Sequence, residues 1–215
     1  MKRYDIITNE NMKGVHMVNY PNKKECFHTT YTTLTGKHYT AHRGMNLEDD
    51  LNQTNQYYLS HDIAVIHKKP TPIQIVKVDY PQRTAANIVE AYFRTPSTTD
   101  YNGLYKGRYI DFEAKETKTK SFPFINISLH QINHLESIIK HGGIAFIIIA
   151  FTSINEVYLL DASYMIDAYK HGKRKSMTYE TIKKYGHLIT QGYMPRLHYL
   201  DIVDQFYIRG VQDEK

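Results

Sequence analysis

The sequence predicts a mixed α/β domain, and three stretches carry that prediction. Gly143-Ile-Ala-Phe-Ile-Ile-Ile-Ala-Phe151 is apolar throughout and has the length of a buried strand. Just before it, Ser128–Lys140 reads as a helix ended by His141-Gly-Gly143. Further upstream, a segment near Thr98–Tyr105 and a strand over Arg108–Lys115 flank a turn at Lys106-Gly107, the pattern of a β-hairpin. The chain has 215 residues and 41% hydrophobic composition, enough for one domain with a real core; two domains would each be small.

In chain order, residues 1–44 are rich in Lys, Asn, Thr and Tyr without sustained periodicity, and Thr29–Gly36 has no apolar face to bury. A basic, flexible arm is expected there. Regular structure is expected after Gly44: Asn46 suits a helix cap, and Glu48, Asp49 and Asp50 suit the positive end of a helix running to about Ser60. Met45, Leu51, Tyr58 and Leu59 give that helix a partial apolar stripe. Ile63–Ile66 reads as a short strand. Over 67–83, Pro70, Pro72 and Pro81 forbid a helix and argue against a central strand, leaving an extended basic excursion with a β-prone middle, Ile73–Val78. Ala85–Phe93 fits a helix or a strand equally. After the buried strand come a second strand at Val157–Leu160 and helices over Ala162–Lys170 and Tyr179–Tyr185. There is no internal repeat.

Composition narrows the function classes. No run approaches the ~20 apolar residues of a membrane helix. The start, Met1-Lys-Arg-Tyr-Asp, lacks a signal-peptide core, so a cytoplasmic protein is expected. The single cysteine, Cys26, excludes an internal disulfide framework and a multi-cysteine metal site. Twelve histidines keep a His-based site open, but none falls in an H-E-x-x-H pattern. The net charge of +5 is uneven: residues 1–44 carry seven Lys/Arg against three Asp/Glu, residues 66–120 ten against six, and residues 121–215 ten against nine. A basic front half with acids set inside it is compatible with nucleic acid, but on charge alone a solvated charged face is the commoner explanation.

The chemistry concentrates in Thr98–Lys115. Alternate side chains of a strand share a face, so Ile110, Phe112 and Ala114 are expected toward the core, with Asp111, Glu113 and Lys115 opposite. Asp100, on the partner segment, can bring a second carboxylate to Glu113. Two close carboxylates resist joint ionisation unless a cation joins them, and hard oxygen ligands favour Mg²⁺ with waters and substrate phosphate. Such a metal polarises a phosphate and activates water, while Lys115 stabilises developing charge or positions the water. On Glu-x-Lys alone, a surface strand with charges paired across the hairpin is the commoner explanation. The wider text decides.

Arg43-Gly-Met, Ile66-His-Lys-Lys-Pro-Thr-Pro-Ile-Gln-Ile-Val-Lys-Val-Asp-Tyr-Pro81, Glu90-Ala-Tyr-Phe93, Ser97-Thr-Thr-Asp-Tyr-Asn-Gly103 and Tyr109-Ile-Asp-Phe-Glu-Ala-Lys-Glu-Thr-Lys118 resemble the RecU family of Holliday junction resolvases. Phe122-Pro123, His130-Gln131 and Gly142-Gly-Ile144 continue the match, which is dense over residues 40–160. The resemblance implies a restriction-endonuclease-like fold of the PD-(D/E)xK class: a mixed β-sheet flanked by helices, with a projecting stalk. It implies a homodimer acting on four-way DNA junctions with Mg²⁺, for which Mn²⁺ can substitute, and a modulating link to RecA. Thr99 stands where the general signature has proline. Carried over, Asp100 and Glu113 are metal ligands, Lys115 is the catalytic lysine, and Thr98 and Gln131 join the Mg²⁺ site. Glu48 is a candidate additional acid, and equally a helix-terminal charge; for Asp111 a structural ion pair is expected. Residues 67–83 match the stalk as an insertion in a nuclease domain spanning 45–215. Its Lys68, Lys69, Lys77 and Arg83, with Arg43 and Lys118, are candidate DNA contacts, whose contribution would weaken with salt.

Two other readings stay open on sequence: a duplex-cutting restriction-type nuclease with the same site, and a DNA-binding regulator of a recombinase that needs no catalysis. The stalk speaks against the first, and the intact Asp100, Glu113 and Lys115 against the second.

Overall fold

The structure, a computed structural model, describes residues 46–82, 85–93 and 98–209. The expected arm over 1–44, with Cys26 and Arg43, and also Arg83, lie outside the described residues.

Asn46 caps the first helix, α1 (Leu47–Ser60), its side-chain oxygen accepting the Asp49 N–H at 2.8 Å. Glu48, Asp49 and Asp50 sit in the first turn, where the helix dipole favours negative charge. Leu47, Leu51 and Tyr58 form its buried face, while Leu59 is turned outward. The strand expected at Ile63–Ile66 forms slightly later, as β1 (Val65–Lys68).

Next come β2 (Ile73–Gln82) and β3 (Ala85–Phe93), which pair antiparallel with Ile75 opposite Ala91 and Val78 opposite Ile88. That pairing resolves Ala85–Phe93 as a strand. The register slips between Asp79 and Gln82, around Pro81, which cannot donate to a ladder. A two-stranded sheet has no central strand, so Pro81 is accommodated, while Pro70 and Pro72 lie between β1 and β2. The hairpin belongs to one compact unit, and the other described residues form a second. The excursion expected over 67–83 is therefore divided: Lys68 ends β1, the hairpin starts at Ile73, and its second strand runs on to Phe93.

The second unit continues with β4 (Tyr101–Tyr105) and β5 (Arg108–Thr117), joined by Lys106-Gly107 with φ of 46° and 75°, the sense a two-residue hairpin turn requires. Then follow β6 (Ser121–Pro123), α2 (Leu129–Lys140), β7 (Ile144–Phe151), β8 (Glu156–Asp161), α3 (Ala162–His171), β9 (Ser176–Thr178), α4 (Tyr179–Tyr185), β10 (His187–Leu188) and α5 (Tyr199–Val203). The main sheet has the order β1-β4-β5-β7-β8-β10. Only β5 and β7 run parallel, because α2 carries the chain back between them; the other pairs are antiparallel.

All of β7 is buried, as its unbroken apolar text demands. Phe146, Ile148 and Ala150 join Leu51, Phe112, Tyr199 and Val203 on one face of the sheet. Ala145, Ile147, Ile149 and Phe151 join Leu135, Met165 and Ile182 on the other. The fold is thus a mixed sheet covered by helices on both faces, as the sequence predicts. Short β6 and β9, and the packing of Leu197–Val203 into the core, were not expected.

Candidate active site

The β4–β5 hairpin sets the geometry. Asp100 lies one residue before β4, and its Oδ2 accepts the Ala114 N–H at 3.1 Å, fixing the carboxylate between Glu113 and Lys115. Asp100 is half-buried.

Glu113 is fully buried. Its Oε1 accepts Gln131 Nε2 at 2.6 Å and pairs with Lys115 Nζ at 2.5 Å. Its Oε2 is buried without a partner. Burial pushes the Glu113 carboxyl up to about 7 and the neighbouring Asp100 pushes the same way, while Lys115 pulls it down. A buried carboxylate with one empty oxygen beside a second carboxylate is the electrostatic condition that a divalent cation relieves. Among the described residues no cluster of three or more His, Cys, Asp or Glu could hold a metal. Two carboxylates fit Mg²⁺, which keeps waters and takes phosphate oxygens, better than a metal needing an all-protein cage.

Gln131 stands at the third position of α2, in a capping box with Ser128. Its Oε1 accepts the Ser128 N–H at 3.0 Å, so its side chain meets the site through the amide Nε2 on Glu113. Thr98 is exposed, its hydroxyl accepting Lys69 Nζ at 3.1 Å. The described contacts thus bring Asp100, Glu113, Lys115 and Gln131 together, with Thr98 held at their flank by Lys69.

Glu48 forms an ion pair with Lys68 and lines, with Asp100, Tyr101 and Glu116, a polar cleft of about 240 Å³. Glu116 was not singled out from sequence; its Oε1 accepts the Leu47 N–H at 2.5 Å and ties β5 to the start of α1. Its signal was its place on the Phe112–Ala114 face of the strand.

The expectation of two faces on β5 needs correction. Ile110 and Phe112 are in the core, but Asp111 and Glu113 are equally buried, because α2 covers the second face. The surface-strand reading therefore fails. Asp111 is saturated: its Oδ2 accepts Lys69 Nζ at 2.7 Å and the Tyr109 hydroxyl at 2.9 Å and lies 3.2 Å from His134 Nε2, and its Oδ1 takes the Thr99 hydroxyl. The ion pair expected for Asp111 is there.

Lys69, expected as a stalk lysine on phosphate, lies in the main unit with only 14% of its side chain exposed, because Asp111 draws it inward. Lys68 is spoken for by Glu48. Lys77, on β2, and Lys118 are exposed.

The model of the family described as Recombination protein U matches residues 42–205. The chain is 56% identical over 196 residues to a protein of Bacillus cytotoxicus named Holliday junction resolvase RecU, covering 88% of this chain and 98% of that one. It is 55% identical, with the same coverage, to a Bacillus cereus protein of that name. Among solved structures, Archaeoglobus fulgidus Hjc, a Holliday junction resolvase, matches with a TM-score of 0.36 and 9% identity, over 64% of this chain and 94% of that one. The family match spans the Asp100, Glu113 and Lys115 cluster and most of the described fold, and on it the chain belongs to the RecU family.

Proposed function

We propose that this protein is a Mg²⁺-dependent endonuclease that resolves four-way DNA junctions by paired incision during recombination and repair. One observation carries the reading: Asp100, Glu113 and Lys115 converge on a spot where a buried carboxylate oxygen of Glu113 has no partner. The names of the RecU relatives supply the substrate class.

Asp100 and Glu113 would hold the metal, with Thr98 and Gln131 at its margin. A bound Mg²⁺ supplies Lewis-acid polarisation of the scissile phosphate and a more acidic water. Lys115 keeps its ammonium on Glu113 at 2.5 Å while a quarter of its side chain stays exposed, so it faces both the ligand and an entering phosphate. There it stabilises charge developing on the phosphoryl oxygens. Ala114 N–H holds Asp100 in position, and Gln131, itself fixed by the helix cap, holds Glu113. These hydrogen bonds pre-orient the two acids before substrate arrives.

A two-fold dimer fits a substrate of two-fold symmetry, with one site for each of two opposing strands. Selectivity would rest on junction shape and backbone position, read in part by the β2–β3 hairpin with its exposed Lys77. Exposed Lys118, one residue past the end of β5, would add a phosphate contact, and Arg43 and Arg83 are assigned the same role from sequence. Action on DNA in the cytoplasm is part of this reading; separately, no described helix is long and apolar enough to cross a membrane. The link to RecA rests on family resemblance.

The test is cleavage of a synthetic four-way junction beside a matched linear duplex, with and without Mg²⁺. Symmetric nicks on the junction alone, abolished by chelator, are expected. Equal cutting of the duplex would make the protein a restriction-type nuclease, and metal-dependent binding without cutting would make it a binder.

A further inference from the structure

Lys69 and Asp111 form a second polar cluster that the cleavage chemistry does not use. The chain reaches the β2–β3 hairpin through Lys69-Pro-Thr-Pro72 and is described again from Thr98. These two legs meet in the main unit. The Lys69 N–H donates to the Asp100 carbonyl at 2.8 Å, extending the β1–β4 ladder by one rung beyond Lys68 and Tyr101. Its ammonium donates to the Thr98 and Thr99 hydroxyls at 3.1 and 2.5 Å and to Asp111 at 2.7 Å. Thr99, fully buried, also bonds to Asp111. Every residue of Thr98-Thr99-Asp100 is thus held by Lys69, and Lys69 is held by an acid two positions before Glu113.

We infer that Lys69 and Asp111 are positioning residues for the metal site, pinning the Thr98–Asp100 segment to β5 so that Asp100 stays aimed at Glu113. The inference rests on the metal-site reading above. Asp100 precedes β4: its carboxylate is held to β5 by the Ala114 N–H, and the backbone that carries it is held by Lys69. The buried pair fixes the backbone on which the Asp100 carboxylate rides. α2 supports the arrangement with two residues on one face, Gln131 on Glu113 and His134 on Asp111.

The test measures Mn²⁺ binding to the DNA-free, full-length protein by electron paramagnetic resonance of the free ion, together with junction binding in Ca²⁺. Lys69→Met should weaken Mn²⁺ about tenfold, as loss of an outer-shell partner does. Asp111→Asn should do the same, and the double variant should be no worse than either, because the pair acts as a unit. Junction affinity should stay within about twofold with an unchanged salt dependence. If Lys69→Met does not fold, the double variant, which buries no lone charge, carries the measurement.

Unchanged Mn²⁺ affinity in a folded variant overturns the inference, leaving the pair merely structural. A weaker junction complex with a salt slope shallower by about 0.9 and unaltered Mn²⁺ affinity overturns it too, making Lys69 a phosphate contact. Asp100→Asn separates the two levels. It should abolish Mn²⁺ binding; if it does so while Lys69→Met has no effect, only the positioning role falls. If Asp100→Asn itself leaves Mn²⁺ bound, the site reading fails and the positioning role with it.

Discussion

Asp111 and Glu113 are two acids on one strand, equally buried, each paired with one lysine and met by one residue of α2. They differ in what is left over. Asp111 has hydroxyl, ammonium and imidazole partners distributed over both oxygens. Glu113 has both of its partners on Oε1 and none on Oε2. A buried charge is tolerated when it is saturated, and a protein keeps one short of partners at a cost of several kcal/mol unless something else completes it. On the proposed function this pattern gives Asp111 a stabilising role and Glu113 a ligand role, although nothing in the text Asp-Phe-Glu distinguishes the two.

Substitution separates them most sharply. Glu113→Gln should lower junction cleavage by about a thousandfold or more, since it removes the proposed metal ligand and the partner of Lys115, while DNA binding holds or improves through reduced repulsion. Metal-free stability should not fall. Asp111→Asn should do the reverse in proportion: a cleavage loss nearer tenfold, with about 3 kcal/mol of stability lost because Lys69 keeps a buried charge without its counterion. Thermal unfolding and single-turnover cleavage on the same preparations measure both. Equal stability losses would erase the distinction.

Lys115→Ala and Lys69→Met make the same comparison from the cationic side, with a smaller contrast. Lys115→Ala should abolish cleavage while junction affinity changes little, because one ammonium among many phosphate-binding cations adds little binding. Cleavage within about tenfold of the parent would remove Lys115 from the chemistry. Lys69→Met should lose stability as well as rate.

The elements with strong local signals were readable before the structure: the Asn46-capped α1, the Lys106-Gly107 hairpin, α2 with its Gly142-Gly143 end, and β7. The cluster of Asp100, Glu113 and Lys115 was readable too, since alternation along a strand and pairing across a hairpin both follow from spacing. The burial of Asp111 was not, because it depends on α2 folding over β5 and on β1 delivering Lys69 from 42 residues upstream. For the same reason Lys69 read as a stalk lysine on phosphate. Ala85–Phe93 stayed ambiguous until its partner Ile73–Gln82 was in place, as a strand without clear alternation is defined by what it pairs with. Leu197, Tyr199 and Val203 reach the core from α5 and the residues just before it, and a helix of five residues is too short for its periodicity to read.

The finest contrast between the two acids is in how the metal-free and metal-loaded forms respond to pH. Glu113 titrates at about 7 in the folded chain against an ordinary value of 4.5, chiefly through burial and secondarily through Asp100. Between those values the folded state holds a proton that the unfolded state has released. Metal-free stability attributable to Glu113 therefore declines as pH rises from about 4.5 to about 7 and is level above that. A divalent ion competes with that proton, so its affinity should be about tenfold weaker at pH 6 than at pH 8, the change in the ionised fraction of a group titrating near 7. The Mg²⁺-induced rise in melting temperature should accordingly grow between pH 6 and pH 8 in the parent. Glu113→Gln should lose that growth and raise the metal-free melting temperature at pH 8 more than at pH 5. Asp111→Asn should keep the dependence with a uniformly lower melting temperature. A Glu113→Gln variant with the parent's pH-dependent Mg²⁺ stabilisation would show that the proton and the metal meet at another group.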